Sequence, residues 1–581
     1  MAVDDDGLGA ACRDGLEVLG VTRLALAIHD AAFPGSERGD LGRGTPYGTG
    51  GRRLLAHIAR FGFNVLQLGP QGELGEGNES PYDGAAFARN PLLLDAAALE
   101  DDPLLGGLCA PAWLDALAAA QPRPRERCHP GFARRALGEL LGQVRAGFAS
   151  GPAGAERVDR ARAFAAQAAA LAAWEPRFDP ELEWLLAEQH ARLRAVASQL
   201  GVRLYADLPI GLAPRDHAAV RHLTLPGYSL GAPPSRTNPE GQAWGYPVLL
   251  ADAPDSSAAP ATAPRPGSTT AFLAARVDRA AHGFDGLRID HPHGWVCPWV
   301  YRDGCEPRDG ARLTDSPDLP DHPALASHAI ARPEQLERSL ARYADGWVRA
   351  LTPAQIERYA EGLALLCARA RVHGIAVEDI ACEILSTCPR PLALVIARLG
   401  LGRFRVLQKL TLGALDDPYR PEAARPEDWV MIGNHDTPSV WALFERWRDS
   451  GRLAEWADAL AGRLARDSVT RGALVTRITT EPAALAEAML ATLLASPARR
   501  VLVHFTDLFG ERAPYNRPGV VHPDNWVLRL APDFARRHHD DTAAGTALSV
   551  PRALALALEA RGAAPALASR LRELAPRPTQ P

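Results

Sequence analysis

Three acidic residues stand at the ends of apolar runs: Asp290 in GFDGLRIDHPHGW (residues 283–295), Glu383 in IAVEDIACEIL (375–385) and Asp436 in WVMIGNHD (429–436). A short apolar run closed by an acid reads as a buried barrel strand whose last side chain emerges at the mouth of a site. In Leu287-Arg288-Ile289-Asp290 the two-residue period of a strand sends Arg288 and Asp290 to one side, where the cation favours the ionised carboxylate. That suits a nucleophile. Glu383 has no adjacent cation in sequence and is followed by Ile384 and Leu385, so it is expected to keep a raised pKa and to act as general acid, then base. Asp207, closing VRLYADL (202–208), is a fourth acid in the same phase. One Arg–Asp pair could simply close a strand end, but four acids around one mouth repel each other and are hard to explain as structural charge. An ionised carboxylate beside a protonated one is what retaining chemistry at an acetal carbon needs, with Asp436 and His435 holding sugar hydroxyls.

The elements that must position these residues alternate. Strands are expected at 21–28, 64–68, 202–208, in the run of four to six residues that ends at Asp290, and at 375–385, 404–410, 429–432 and 501–505, with helical patterns between them, beginning with 50–61. Eight strands so spaced predict an α/β fold: a (β/α)8 TIM barrel with inserted helical subdomains and long catalytic-face loops. Glu378 and Asp379, near the start of their run, are expected at the opposite face. The loop 69–91 carries Tyr82, and the stretch GAPPSRTNPEGQAWGYP (231–247), too rich in Gly and Pro for regular structure, carries Gln242 and Trp244, an aromatic face and an amide suited to a pyranose. Residues 251–268 read as a low-complexity, mobile segment able to act as a lid. A polar loop is expected over 302–323 and helix from about 333 to 373. The expected division is 1–104 (barrel strands 1–2 and a sugar-binding loop), 105–200 (inserted helical subdomain), 201–301 (strands 3–4 with the Gly- and Pro-rich loop), 302–375 (loop and helical insertion), 376–530 (strands 5–8) and 531–581 (helical tail).

Composition narrows the partners. The chain has 581 residues, is 47% hydrophobic and carries a net charge of −5, so no basic field favours nucleic acid or an anionic membrane, and neutral ligands fit better. Eight cysteines without a CxxC pair point to a reduced cytoplasm rather than to a metal or a disulfide framework. The acidic N-terminus is unlike a signal peptide, and no run of 18 apolar residues occurs. Arginine supplies nearly all the positive charge; Lys409 is the only lysine, which reads as composition bias and suggests no function. No redox cofactor, phosphate loop or metal is required.

These motifs resemble glycoside hydrolase family 77, the 4-α-glucanotransferases (amylomaltases or disproportionating enzymes), relatives of the α-amylase superfamily. The similar stretches run from TPYGTG through LQLGP, SPYDGAAFARNPLLLD, ADLPI, GAPPSRTNPEGQAWGYP, GLRIDHPHGW, CEILSTCP, FRVLQ and GNHDTP to NRPG (516–519) and Asn525-Trp526. They span almost the whole chain, and GAPP…GQxWGxP is specific to the family. The resemblance implies that Asp290 is the nucleophile, Glu383 the acid/base and Asp436 the transition-state stabiliser. Tyr82, Asp207, Gln242, Trp244, Arg288, His291, Asn434 and His435 are expected to bind the sugar. Donor and acceptor would be maltooligosaccharides or other α-1,4-glucans, with no cofactor. The chain departs from the family pattern at Ile384, Ser386, Ser235 and Asn434 and in the early segment IHDAAFPGS. These changes bear on the outer subsites and on how well an acceptor sugar competes with water. An α-glucan hydrolase using the same residues, or a catalytically weak glycan-binding homologue, are the alternatives.

Overall fold

The computed structural model describes residues 7–236, 238–252 and 267–576. Most of the expected lid, 253–266, lies outside the described residues. Twelve strands occur among those described: β1 (Arg23–Ala27), β2 (Val65–Gln67), β3 (Arg203–Leu208), β4 (Thr224–Ala232), β5 (Gln242–Leu249), β6 (Gly286–Ile289), β7 (Trp299–Arg302), β8 (Ala311–Arg312), β9 (Ile380–Cys382), β10 (Phe404–Val406), β11 (Trp429–Met431) and β12 (Arg500–His504). Eight of them form one parallel sheet in the order β10-β11-β12-β1-β2-β3-β6-β9, which is sequence order rolled into a nearly closed (β/α)8 barrel. Each expected strand is present, shorter than expected except β6, which has four residues, and β12, which keeps five residues but begins one residue earlier. Parallel strands are covered on both faces, which is why LALA in β1 and VLV in β12 read as continuous apolar runs and are buried throughout. Gly286 is required by packing: a Cβ there would lie 2.3 Å from the ring of Tyr205, its partner on β3.

Helices Thr49–Ala59, Pro180–Gln199, Thr269–Ala281, Pro353–Val372 and Arg390–Leu399 cross over between successive barrel strands. The connection from β10 to β11 has no α-helix. It begins as a 3-10 turn, Leu407–Lys409, so the expected strand over 404–410 stops at Val406. The reason is pairing: β11 offers three residues to β10, and no ladder joins β10 to β9. Among the helices of 105–200, Pro180–Gln199 packs on Thr49–Ala59 and on β3 and is a barrel helix in its own right.

A second sheet, antiparallel in the order β5-β4-β7-β8, corrects two expectations. The stretch 231–247 is regular at both ends: Gly231 and Ala232 end β4 and Gln242 to Pro247 belong to β5, while the described residues between them lie in no strand or helix. Its Gly and Pro residues hide the hairpin because they are poor strand formers, but Gly227 and Gly245 take positive φ (75° and 72°), the β4–β5 register shifts twice, and Pro247 sits on an edge strand that can spare a donor. Residues 302–323, expected as loop, contribute the end of β7 and all of β8. The two strand pairs come from the connections after β3 and β6, so two catalytic-face loops are knitted into one sheet with its own apolar core around Tyr228, Val248, Val300 and Trp347. That core also explains why helix is absent over 336–352: Leu336 bridges Val348 and both pack under the sheet.

At the barrel end where strands begin, Asp379 precedes β9 and is bound by Arg23 (Nε, 2.7 Å), Arg203 (Nη1, 3.1 Å) and the hydroxyl of Tyr205.

Candidate active site

Strand register builds the site. On adjacent parallel strands Asp207 is level with Arg288 and Arg288 with Ala381, and the ladder continues one residue further as Asp290 N–H donates to Leu208 O and Glu383 N–H to Ile289 O, both at 3.0 Å. Asp207, Asp290 and Glu383 therefore converge at the C-terminal ends of β3, β6 and β9, around a guanidinium that is 2% exposed. Arg288 Nη1 lies 2.6 and 2.7 Å from the two Asp207 oxygens, while Nη2 lies 2.5 Å from Glu383 Oε2 and 3.2 Å from Asp290 Oδ1. Glu383, which has no cation next to it in sequence, thus gains one in space, and Arg288 is nearer to Glu383 than to Asp290. Sequence adjacency could not reveal a partner delivered by a neighbouring strand.

The proton assignments nevertheless separate. Burial raises the Glu383 pKa, and the charges of Asp290 and Asp436 add to it, so that despite Arg288 it stands well above the ordinary glutamate value. Burial also works to raise Asp290, but Arg288, His291, a hydrogen bond with Glu383 and the Ile210 N–H (3.1 Å) together hold it below the ordinary carboxylate value. Burial pushes Asp207 up to about 6 although Arg288 opposes it. Asp436, past the end of β11, is raised by burial against a hydrogen bond from Asn516 Nδ2 at 2.6 Å and the charge of Lys409.

The expected sugar-binding residues fall into two groups. Tyr82 donates to Asp207 (3.0 Å), accepts from Arg288 (3.1 Å) and stacks on His435 with ring centroids 5.1 Å apart. His29, Tyr515 and Trp526 complete this aromatic wall, the His29 ring lying 5.3 Å from Tyr515 and 5.2 Å from Trp526. Burial leaves His29 and His435 far below the ordinary histidine pKa and takes His504 down to about 3, so all three imidazoles are neutral at pH 7. Among the described residues His29 Nδ1 and His504 Nε2 are buried without a hydrogen-bond partner, a state that a bound hydroxyl would relieve.

The second group faces a cleft of about 440 Å³ lined by Gln242, Trp244, His291, Glu383, Lys409 and Asp436, among others. Trp244 packs against His291 (centroids 4.7 Å apart) and its Nε1–H donates to Gln242 Oε1 at 3.3 Å. His291 and Trp526 hold positive φ (40° and 64°), backbone strain of the kind that clusters at functional sites. Asn434 is turned inward instead, its Nδ2 donating to Glu383 Oε1 at 3.2 Å and its Oδ1 accepting from Asp436 N–H at 3.1 Å. At the hairpin tip Ser235 Oγ accepts from Asn238 N–H at 3.1 Å, Ile384 is fully buried and Ser386 lines the cleft. Asp290, His291 and Glu383 each offer a ligand atom within 4.8 Å of the others and could hold a cation, though Arg288 already brings positive charge to both carboxylates.

Residue-by-residue reading missed His29, His504, Tyr515 and Lys409. Asn516 and Trp526 lay inside the quoted NRPG and NW elements, and Lys409 carried a signal in being the single lysine.

A family model described as 4-alpha-glucanotransferase matches residues 152–534. The 4-alpha-glucanotransferase of Thermus thermophilus is 28% identical over 326 residues, 48% of this chain and 60% of that one. This chain thus aligns with less than two thirds of that relative. Among solved structures, amylomaltase from Corynebacterium glutamicum matches with a TM-score of 0.61 at 17% identity, covering 96% of this chain and 76% of that one. Amylomaltase from Streptococcus agalactiae, solved in complex with acarbose, matches with 0.60 at 17% identity, covering 89% and 97%. These two establish the likeness of fold.

Proposed function

Since the chain belongs to the 4-alpha-glucanotransferase family, glycoside hydrolase family 77, we propose that it transfers a segment of an α-1,4-glucan to the 4-OH of an acceptor glucan or glucose. The observation that carries this reading is that Asp290 and Glu383 present oxygens within 4.8 Å of each other on one guanidinium, with burial raising the Glu383 pKa and Arg288 helping to hold that of Asp290 down. That separation favours the retaining geometry of roughly 5–5.5 Å over the wider inverting one, which must admit a water.

Asp290 attacks the anomeric carbon as the bond to the leaving 4-oxygen breaks, and the Glu383 proton passes to that oxygen. The glycosyl ester on Asp290 then meets an acceptor 4-OH. Glu383, now a carboxylate, takes the hydroxyl proton as the new C–O bond forms and the ester bond to Asp290 breaks. Asp436 and neutral His435 hold hydroxyls of the ring while it flattens towards an oxocarbenium ion. Arg288 and Tyr82 fix the carboxylates, Asp207 neutralises Arg288 from behind, and Asn434 orients Glu383. Gln242, Trp244 and His291 bind the sugar on the other side of the scissile bond, where an acceptor held against Trp244 would outcompete water.

Incubation with maltotriose tests the reading. Glucose plus longer maltooligosaccharides at constant total reducing ends is the expected result; rising reducing ends would assign hydrolysis, and binding without turnover a glycan-binding homologue. Starch or glycogen breakdown products are the natural substrates in this reading, and the cytoplasm is the compartment, supported by eight free thiols, of which Cys12, Cys109, Cys128, Cys297 and Cys382 are buried. No helix among the described residues is long and apolar enough to cross a membrane. The six-part division holds in this reading with one change, that the crossover helices Pro180–Gln199 and Pro353–Val372 belong to the barrel rather than to the insertions.

A further inference from the structure

Of the 64 lysine and arginine residues in the chain, Lys409 alone is lysine. Composition bias explains arginine everywhere else, and it leaves unexplained why an ammonium stands at this one position. The structure gives it a location: Lys409 ends the 3-10 turn after β10 and lines the cleft with Glu383, Asp436, His291 and Trp244.

Its backbone is fixed from two sides. The Lys409 carbonyl accepts from Arg236 Nη2 at 2.7 Å, and Arg236 Nη1 is itself held 2.7 Å from Asp417 Oδ2, so the tip of the β4–β5 hairpin clamps the turn. On the other side, the Gln408 amide donates to Thr437 Oγ1 at 2.9 Å and to Pro438 O at 3.1 Å. The ammonium is not tied down: among the described residues no hydrogen bond or ion pair engages Nζ. Burial lowers its pKa, and the charges of Asp436 and Glu383 work against that, which puts the group within electrostatic reach of both carboxylates.

The side of the reaction follows from the lining. Tyr82, Asp207, Arg288 and Asp290 do not line this cleft, whereas Glu383, Leu385, Ser386 and Thr387 do. A general acid touches the oxygen shared with the leaving sugar, so the space on this side of Glu383 belongs to the leaving group and later to the acceptor. Resting on the transferase reading above, we propose that Lys409 is a substrate-binding residue of that subsite, its ammonium donating hydrogen bonds to the hydroxyls of the leaving and acceptor sugar. Three donors on a flexible stem suit hydroxyls whose directions change between the two half-reactions; the planar fork of arginine has fixed directions.

Being the only lysine, Lys409 can be interrogated by chemistry that sees amines. The amines open to an acylating reagent are this side chain and the N-terminal amine, and Lys409→Arg protein identifies the peptide that belongs to the side chain. Maltopentaose bound to wild-type protein should slow acylation of Lys409 severalfold, read by peptide mass spectrometry, with occupancy followed by tryptophan fluorescence in the same sample. Turnover does not empty the site, because its products are also glucans. In parallel, Lys409→Met should raise KM for glucose as acceptor by about tenfold or more, the scale of one hydrogen bond to a charged group, with a smaller change in kcat, and Lys409→Arg should recover part of it. Acylation at an unchanged rate with maltopentaose bound, or an unaltered acceptor KM in Lys409→Met, would overturn the proposal. Failure of the transferase reading looks different: wild-type protein would then not disproportionate maltotriose, whatever the protection of Lys409.

Discussion

The two ends of the barrel hold the same kinds of group in opposite ratio. Where strands begin, one carboxylate, Asp379, is shared by two guanidinium groups and a phenol. Where strands end, one guanidinium, Arg288, is shared by three carboxylates. At the first end the surplus charge is cationic and can be hydrated, since the side chains of Arg23 and Arg203 are 17% and 48% exposed. At the second the surplus is anionic and enclosed, the Glu383 and Asp207 side chains being 4% and 0% exposed. A buried excess of carboxylates cannot all ionise, and the proton they retain becomes available for chemistry. The ratio of charges and their access to water, rather than residue type, separates a structural cluster from a reactive one.

Substitutions at the two ends should therefore part company. Glu383→Gln and Asp290→Asn should each cut maltotriose disproportionation by about 10³-fold or more, with Glu383→Gln leaving the melting temperature unchanged or raised. Arg288→Lys should follow with a loss of about 10²-fold in kcat, because a point charge cannot serve three carboxylates in the directions a guanidinium does; single-turnover rates check this. Asp379→Asn should do the reverse. It should cost about 2 kcal/mol by thermal or urea denaturation, less than the 3–5 kcal/mol of a fully buried pair because its arginines reach water, with kcat changed by less than twofold.

The pH dependence sharpens the comparison. Activity should require ionised Asp290 and protonated Glu383, so the rate should fall on the acid side below the usual carboxylate range and on the alkaline side well above the ordinary glutamate value. A group whose folded pKa is raised contributes stability that is complete below its unfolded pKa, about 4.3 for glutamate, and is lost as pH rises through the folded value. Wild type should accordingly lose stability over that interval, and Glu383→Gln should lose less, as read by melting temperature against pH. Asn434→Ala, which removes the amide on Glu383 Oε1 and the acceptor of Asp436 N–H, should cost about tenfold in kcat, the smallest loss among the substitutions at the site.

Much of this was legible in the chain. The eight barrel strands could be located because a parallel strand, covered on both faces, is apolar along its length and betrays itself without any partner. The acids at their ends stood out for the same reason: a charge closing an apolar run is conspicuous. The second sheet was not legible, because β4 and β5 pair through bulges at Gly227 and Gly245 and carry Pro226 and Pro247, residues whose local preference opposes a strand. Nor were Tyr515 and His29, which come within 5.3 Å of one another across almost the full length of the chain.

The sequence by itself determined the barrel, the four acids and their phase, since these depend on periodicity and on which residue ends each run. Only the tertiary structure decided how the charge is shared. It placed Arg288 against Glu383 as well as Asp290, turned Asn434 inward, folded two loops into a sheet and brought the single lysine to the cleft. The physical reason is that a pKa is set by distances across strands and by the water excluded between them, and neither is encoded in residues that are neighbours along the chain.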